Sequence, residues 1–306
     1  MKRPLRLIQP KTWREYLEDF VLEKRLAGCR ERTIKDYIHH ITRFFSSFRG
    51  DLQDFEALRR HLQGFFSADV APATFNTRRK CLKAFFTYLV AQGALPANPV
   101  NFKALREEGR ARAIPLEILQ KLLELPDKRT FAGLRDYVLI LFTLDTGVRP
   151  GEALRLKVED FNLEAAEVVV RPMVAKTKTS RTLPISAVTV YWLKKLLSVR
   201  PPGAQTVFCN EYGRQLREDS WARILRIYSK RLGYKVTPYD LRHSFALYSL
   251  RQGMSPFALQ RILGHRDLTM TKRYLALTQR DIKEEHSRAS PLELVVRKRV
   301  RKIEIQ

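Results

Sequence analysis

The sequence predicts a mainly α-helical protein of two domains, with a small antiparallel β-sheet confined to the second. Three observations predict it. Apolar residues recur at helical spacing through the first part of the chain and again beyond Pro115. A basic stretch with prolines at Pro96, Pro99 and Pro115 interrupts that pattern. Two short runs rich in strand formers, "AEVVVRPM" and "SRTLPIS", flank the polar turn "VAKTKT". The 306 residues suffice for two domains of ordinary size.

In the first domain, residues 1–96, four helices are expected. Trp13, Tyr16, Leu17, Phe20 and Val21 form one stripe, and Gly28 can stop that helix. Ile34, Tyr37, Ile38, Ile41, Phe44, Phe45 and Phe48 form the next, with Thr33 as its expected N-cap. A shorter helix covers residues 55–66. A fourth, over residues 73–92, turns Leu82, Phe85, Phe86 and Leu89 inward. Its other side carries Asn76, Arg79, Lys80 and Lys83, which gives the unit a basic face and the best candidates for nucleic-acid contact. Residues 97–113 read as a linker whose Arg106, Arg110 and Arg112 can track phosphates. The second domain is expected over residues 114–290. Its helix "GLRDYVLILFTLDTG" is nearly all apolar and so central. A third short strand is expected at "TVFCN", and residues 219–285 read as helical. Residues 291–306 form a basic tail whose periodicity favours no one structure.

Lys and Arg number 57 against 32 Asp and Glu, a net charge of +25. A polyanion partner follows, nucleic acid before membrane. No apolar run approaches the length of a membrane span. The basic first residues are followed by no long apolar core, which argues against a secretory signal. Cys29, Cys81 and Cys209 are scattered and odd in number, as suits a reducing cytosol. They have no metal-ligand spacing, and no nucleotide-binding loop is present, so neither a metal nor a cofactor is expected. The expected location is the cytoplasm, at the nucleoid.

Three segments carry candidate chemistry. In "TGVRPGEALRL", Gly147 ends the apolar helix, Pro150 opens another, and Arg149 stands between, with Glu152 one turn on. In "TPYDLRHSF", Thr237, Pro238 and Asp240 make a capping box that starts a helix, placing Tyr239 and Arg242 on one face. In "MSPFALQRILGHRDLTMTKRY", Gly264 ends a helix, His265 follows it, and Tyr274 lies on the next. Each alone has an ordinary reading: a cap, a loop histidine, a core tyrosine. Together they form two arginines, a hairpin lysine, a histidine and a tyrosine, the set that metal-free phosphodiester transesterification requires. Arginine forks clamp the oxygens on which transition-state charge gathers. One such preorganised donor is worth on the order of 10²–10³ in rate. A phenol attacks and later leaves, which conserves bond energy, but its reference pKa near 10 demands a base or a strong positive field. A lysine on a mobile turn can protonate the leaving 5′ oxygen.

"TGVRPGEAL", "LRHSFA" and "ILGHRDLTMTKRY" resemble the three boxes of the tyrosine recombinases, the integrase and Xer group, in family order. The resemblance covers essentially the whole chain. It implies a SAM-like four-helix core-binding domain and a mixed α/β catalytic domain forming a C-shaped clamp on DNA. It implies site-specific recombination through a 3′-phosphotyrosyl intermediate and a Holliday junction, without metal or ATP. By position, Arg149 and Arg242 become the phosphate clamp, Glu152 their supporting carboxylate, His265 a phosphate partner and Tyr274 the nucleophile. Alignment of the hairpin through "SRTLPI" puts the lysine at Lys176, with Lys178 as runner-up and DNA contact. Tyr239 departs from the family, which usually has histidine three residues before Arg242. Tyr239 can bond a phosphate oxygen but is a poor proton acceptor. His243, as a helical neighbour of Arg242, is expected to point elsewhere and serve structure, leaving the arginine field and His265 to activate Tyr274. Four protomers on two duplexes are implied, with the segment after Tyr274 docking in trans. An accessory protein is compatible. Because few residues precede the first helix, recognition of core sites alone is expected. The hairpin and tail resemble those of mobile-element integrases. Xer-type dimer resolution is the alternative, followed by a type IB topoisomerase-like enzyme or a catalytically weakened DNA-binding protein.

Overall fold

A computed structural model describes residues 11–67, 69–106, 113–172, 174, 179–265 and 274. The chain divides into two compact units, Met1–Glu108 and Gly109–Gln306. The first is built from α1 (Trp13–Leu26), α2 (Glu31–Ser47), α3 (Phe55–Ser67) and α4 (Pro72–Ala91). The apolar stripes meet in its core, where Phe20, Ile34, Ile41, Phe44, Leu58, Leu82, Phe85, Phe86 and Leu89 are fully buried. Phe44 stands edge-on to Phe65 and Phe86, and Phe20 to Phe85. Each such pair contributes about 0.5–1.5 kcal/mol beyond area burial. Ile38 leaves the stripe and is exposed.

Two expectations for this unit change. α2 starts at Glu31 rather than after Thr33, because the extended Arg30 serves as N-cap and its carbonyl accepts from the Ile34 amide at 3.1 Å. The stretch expected to begin a linker instead lies along α4. Asn98 Nδ2 donates to the Lys83 carbonyl at 2.9 Å, and Arg79 Nε donates to the Phe102 carbonyl at 2.6 Å. The Asn76 amide pairs with both backbone groups of Leu105, at 2.9 and 2.8 Å. Val100 is buried, and the Phe102 ring packs on Phe66 and Phe75. Asn76 and Arg79 therefore brace their own unit, whereas Lys80 and Lys83 stand exposed on α4. Arg110 and Arg112 lie outside the described residues.

The second unit contains α5 (Leu116–Glu124), α6 (Phe131–Thr146), the short α7 (Pro150–Ala153) and a 3₁₀ turn at Val158–Asp160. Strands β1 (Phe161–Asn162), β2 (Glu167–Val170) and β3 (Arg181–Pro184) follow. Then come α8 (Ala187–Ser198), α9 (Glu218–Leu232), α10 (Pro238–Arg251) and α11 (Pro256–Leu263). The apolar α6 is central, lying against α5, α8 and α10. The sheet is antiparallel in the order β1-β2-β3. Val168 faces Leu183 across it, both buried, while Val169 turns to the exposed side. The strand expected at "TVFCN" does not join this sheet. Cys209 makes only an isolated bridge with Gln215, and Phe161–Asn162 is the third strand. Sequence reading also passed over α8, whose β-branched run Val188–Val190 disguises a helix capped by Ser186. α10 opens on the expected capping box, with the Thr237 amide donating to Asp240 at 2.8 Å. It is pinned further along by Ile114, whose amide donates to Ser244 and whose carbonyl accepts from Tyr248.

Candidate active site

Two helix ends come together at the site. α6 ends at Gly147 and α11 at Gly264, both in the left-handed region, with φ of 59° and 61°. A helix C-terminus carries partial negative charge and unsatisfied carbonyls, so cations are favoured there. Arg149 Nη2 donates to the Gly264 carbonyl at 3.0 Å. Arg242 donates to the Gly147 carbonyl at 2.5 Å and to the Leu263 carbonyl at 2.9 Å. Each arginine is thus held on a turn formed by a distant segment.

Glu152 is buried beneath them. Its Oε1 accepts from Arg149 Nη1 at 3.1 Å and its Oε2 from Arg181 Nη2 at 2.5 Å. Arg181, at the start of β3, also donates from Nε to the Ile262 carbonyl at 2.9 Å. It thereby ties the strand that follows the hairpin to α7 and to the end of α11. Arg181 Nη1 is buried without a partner among the described residues. In this cluster two guanidiniums share one carboxylate, and the Arg242 guanidinium also feels its charge. Arg242 is only 3% exposed, and burial, then the Arg149 charge, pull its pKa below the ordinary arginine range. Among the described residues of the cluster, three guanidiniums stand against one carboxylate, an arrangement suited to an added anion.

His265 lies past Gly264 with its Nε2 3.1 Å from Arg242 Nη2. A guanidinium can only donate, so this nitrogen accepts. Tyr274 is 4% exposed, set among Phe245, Ala246, Leu250, Leu259 and Leu263. Its Oη is 2.6 Å from His243 Nδ1. That contact corrects the expectation that His243 points away from Tyr274. The expectation considered only neighbours on α10, whereas Tyr274 arrives from later in the chain. Tyr239 is 46% exposed at the start of α10. Lys176 and Lys178 lie outside the described residues. Beside the arginine cluster a cleft of about 830 Å³ is lined by Thr179, Arg181, Gln260, Arg261, Gly264 and His265, among others.

Residues 113–281 match the phage integrase family. The chain is 30% identical over 288 residues to the tyrosine recombinase XerA of Pyrococcus furiosus, covering 92% of this chain and 96% of that one. The chain belongs to the phage integrase family. It is a tyrosine recombinase, a site-specific enzyme that cuts and rejoins DNA. The tyrosine recombinase XerC of Myxococcus xanthus is 31% identical over 248 residues, 77% of this chain and 81% of that one. Among solved structures, the fold is similar to that of the Tn1549 transposon integrase in complex with a circular intermediate DNA. The TM-score is 0.70 at 17% identity, over 92% of this chain and 99% of that one. It is likewise similar to a lambda integrase tetramer bound to a Holliday junction, with TM-score 0.70 at 19% identity, over 88% of this chain and 83% of that one.

Within this recombinase the matched range holds Arg149, Glu152, Arg242, His265 and Tyr274. The structure pairs Arg149 with Glu152 and Arg242 with His265, brings both arginines to adjacent carbonyls at the end of α11, and sets Tyr274 on His243. Arg181's bond to Glu152 and His243's contact with Tyr274 are the two arrangements that sequence reasoning did not find. A signal existed for each: Arg181 opens the strand after the lysine-bearing turn, and His243 adjoins Arg242.

Proposed function

We propose that this recombinase cleaves DNA through Tyr274, which attacks a phosphodiester held by Arg149 and Arg242. The observation that carries the reading is the cluster in which Glu152 bonds Arg149 and Arg181 while Arg242 is buried within reach of both their charges, three guanidiniums to one carboxylate among the described residues. A phosphodiester supplies the missing negative charge, and its transition state supplies more. His265 bonds a non-bridging oxygen, Tyr239 stands at the rim for another, and Lys176 protonates the leaving 5′ oxygen, with Lys178 on the backbone. On a core-site duplex, Lys80, Lys83, Arg110 and Arg112 meet phosphates. Strand exchange proceeds in a tetramer, with the segment after Tyr274 docked on a neighbouring protomer, in the cytoplasm at the nucleoid.

The test is covalent trapping on a nicked duplex carrying a site selected for tight binding from random sequence. Wild type is expected to give a protein–DNA adduct resistant to denaturant, and Tyr274→Phe none. Equal adduct from both would overturn the assignment of the nucleophile. For the biological setting, the hairpin and tail favour integration and excision of a mobile element. Xer-type resolution of chromosome or plasmid dimers is the second reading, supported by relatives named as Xer recombinases over most of this chain.

A further inference from the structure

We propose that His243 is the proton acceptor for Tyr274, filling the role left open by the tyrosine at position 239. The inference rests on the reading of Tyr274 as nucleophile. Among the described residues His243, His265 and Tyr239 are the acceptors to weigh, and the geometry separates them. His243 Nδ1 lies 2.6 Å from Tyr274 Oη, with the two rings 5.6 Å apart at 47°. A neutral imidazole protonated on Nε2 presents its Nδ1 lone pair to the phenol at that distance. His265 uses Nε2 to accept from Arg242, 3.1 Å away. A proton there would break that bond and set one cation against another. Tyr239 is half-exposed, and a phenol is a poor acceptor at neutral pH.

The setting suits a proton that moves only during reaction. Tyr274 is buried among apolar side chains, where a free phenolate would be costly. Reference pKa values of about 10 for a phenol and about 6.5 for an imidazole keep full transfer uphill until the oxygen begins to bond to phosphorus. As the Oη–phosphorus bond forms, the Oη–H bond breaks and its proton passes to His243 Nδ1, leaving an imidazolium. The bond from phosphorus to the 5′ oxygen breaks at the same centre, and that oxygen takes its proton from the hairpin lysine. In religation the 5′-hydroxyl attacks and gives its proton back to the hairpin lysine, the phosphotyrosyl bond breaks, and the imidazolium returns its proton to Oη. No oxidant, metal or nucleotide enters the balance. The backbone arrangement serves the purpose: consecutive residues of α10 hold the phosphate, through Arg242, and the nucleophile, through His243.

The experiment compares wild type, His243→Ala and His243→Asn on the selected nicked duplex. Each protein is made with tyrosine at position 274 and with a fluorinated tyrosine there whose phenol ionises near neutral pH. Loss of the acceptor is expected to slow covalent complex formation by roughly 10²–10⁴-fold while DNA affinity stays within about twofold. Asparagine can hold the phenol by a hydrogen bond but cannot take its proton, so His243→Asn is expected to be slow as well. The acidic phenol is expected to restore most of the rate in both variants and to change wild type little. A role confined to packing would show no such rescue. Wild-type rates in His243→Asn, or slow variants that the fluorinated tyrosine fails to restore, would overturn the proposal. Absence of any adduct from wild type would instead overturn the assignment of Tyr274.

Discussion

Glu152 serves two arginines at once, one through each carboxylate oxygen, and is 1% exposed. Glu152→Gln keeps the shape but turns an amide NH₂ toward one of the two guanidiniums, donor against donor. Removing one partner of a buried ion pair costs about 3–5 kcal/mol. An amide that keeps one bond should bring the loss to about 3 kcal/mol, read as a lower urea midpoint of the second unit. Covalent complex formation should fall with it. DNA affinity should hold or rise, since the cluster gains net positive charge. An unchanged midpoint would mean that Glu152 is not the electrostatic centre described here. At this scale the sequence was informative wherever a residue's partners lie in its own box. Arg149 with Glu152, and Thr237 with Asp240, are short-range pairs that spacing can reveal. Arg181 reaches Glu152 from 29 positions away, and His243 meets Tyr274 across 31, separations that local spacing does not encode.

At the scale of elements, the two glycine turns that end α6 and α11 decide where the arginines sit. Gly147 has φ of 59°, and a Cβ there would lie 2.2 Å from the Phe245 ring. Left-handed backbone costs a non-glycine residue about 1–2 kcal/mol. Overpacking adds about 1–3 kcal/mol. Gly147→Ala should therefore destabilise the second unit by about 3 kcal/mol and weaken cleavage. Gly233 ends α9 with φ of 61°, but its Cβ direction is open. Gly233→Ala should cost only about 1 kcal/mol and leave cleavage intact. Equal losses in denaturant titrations of the two variants would refute the packing argument. Helices with a clear stripe or cap, such as α1, α2, α10 and α11, were legible in the sequence. α8 was not, because its β-branched residues imitate a strand. Strand β1 is two residues long, too short for any alternation to register. Residues 98–105 were mistaken for linker because proline breaks periodicity whether a segment leaves the fold or lies along it.

For the whole molecule, a net charge of +25 makes DNA association an electrostatic event. If each protomer neutralises about ten phosphates, log K should fall against log salt with a slope of about −9. Lys80→Ala and Lys83→Ala should each reduce that slope by about one. Asn76→Ala should leave the slope unchanged and instead loosen the first unit, because its amide holds Leu105. A slope near zero would remove phosphate contact as the source of affinity. The cross-bracing of the arginine cluster has a further consequence, for the way such a protein can be rebuilt. The Arg149 guanidinium rests on the turn at Gly264, 115 positions away, and Arg242 rests on the turn at Gly147, 95 positions away. Neither cation is held by its own segment alone. A chimera that imports one of these segments from a relative brings an arginine whose cradle stays behind, or a cradle shaped for a foreign arginine. The machinery can be transplanted only as a set, whereas the exposed face of α4 can be redrawn one side chain at a time.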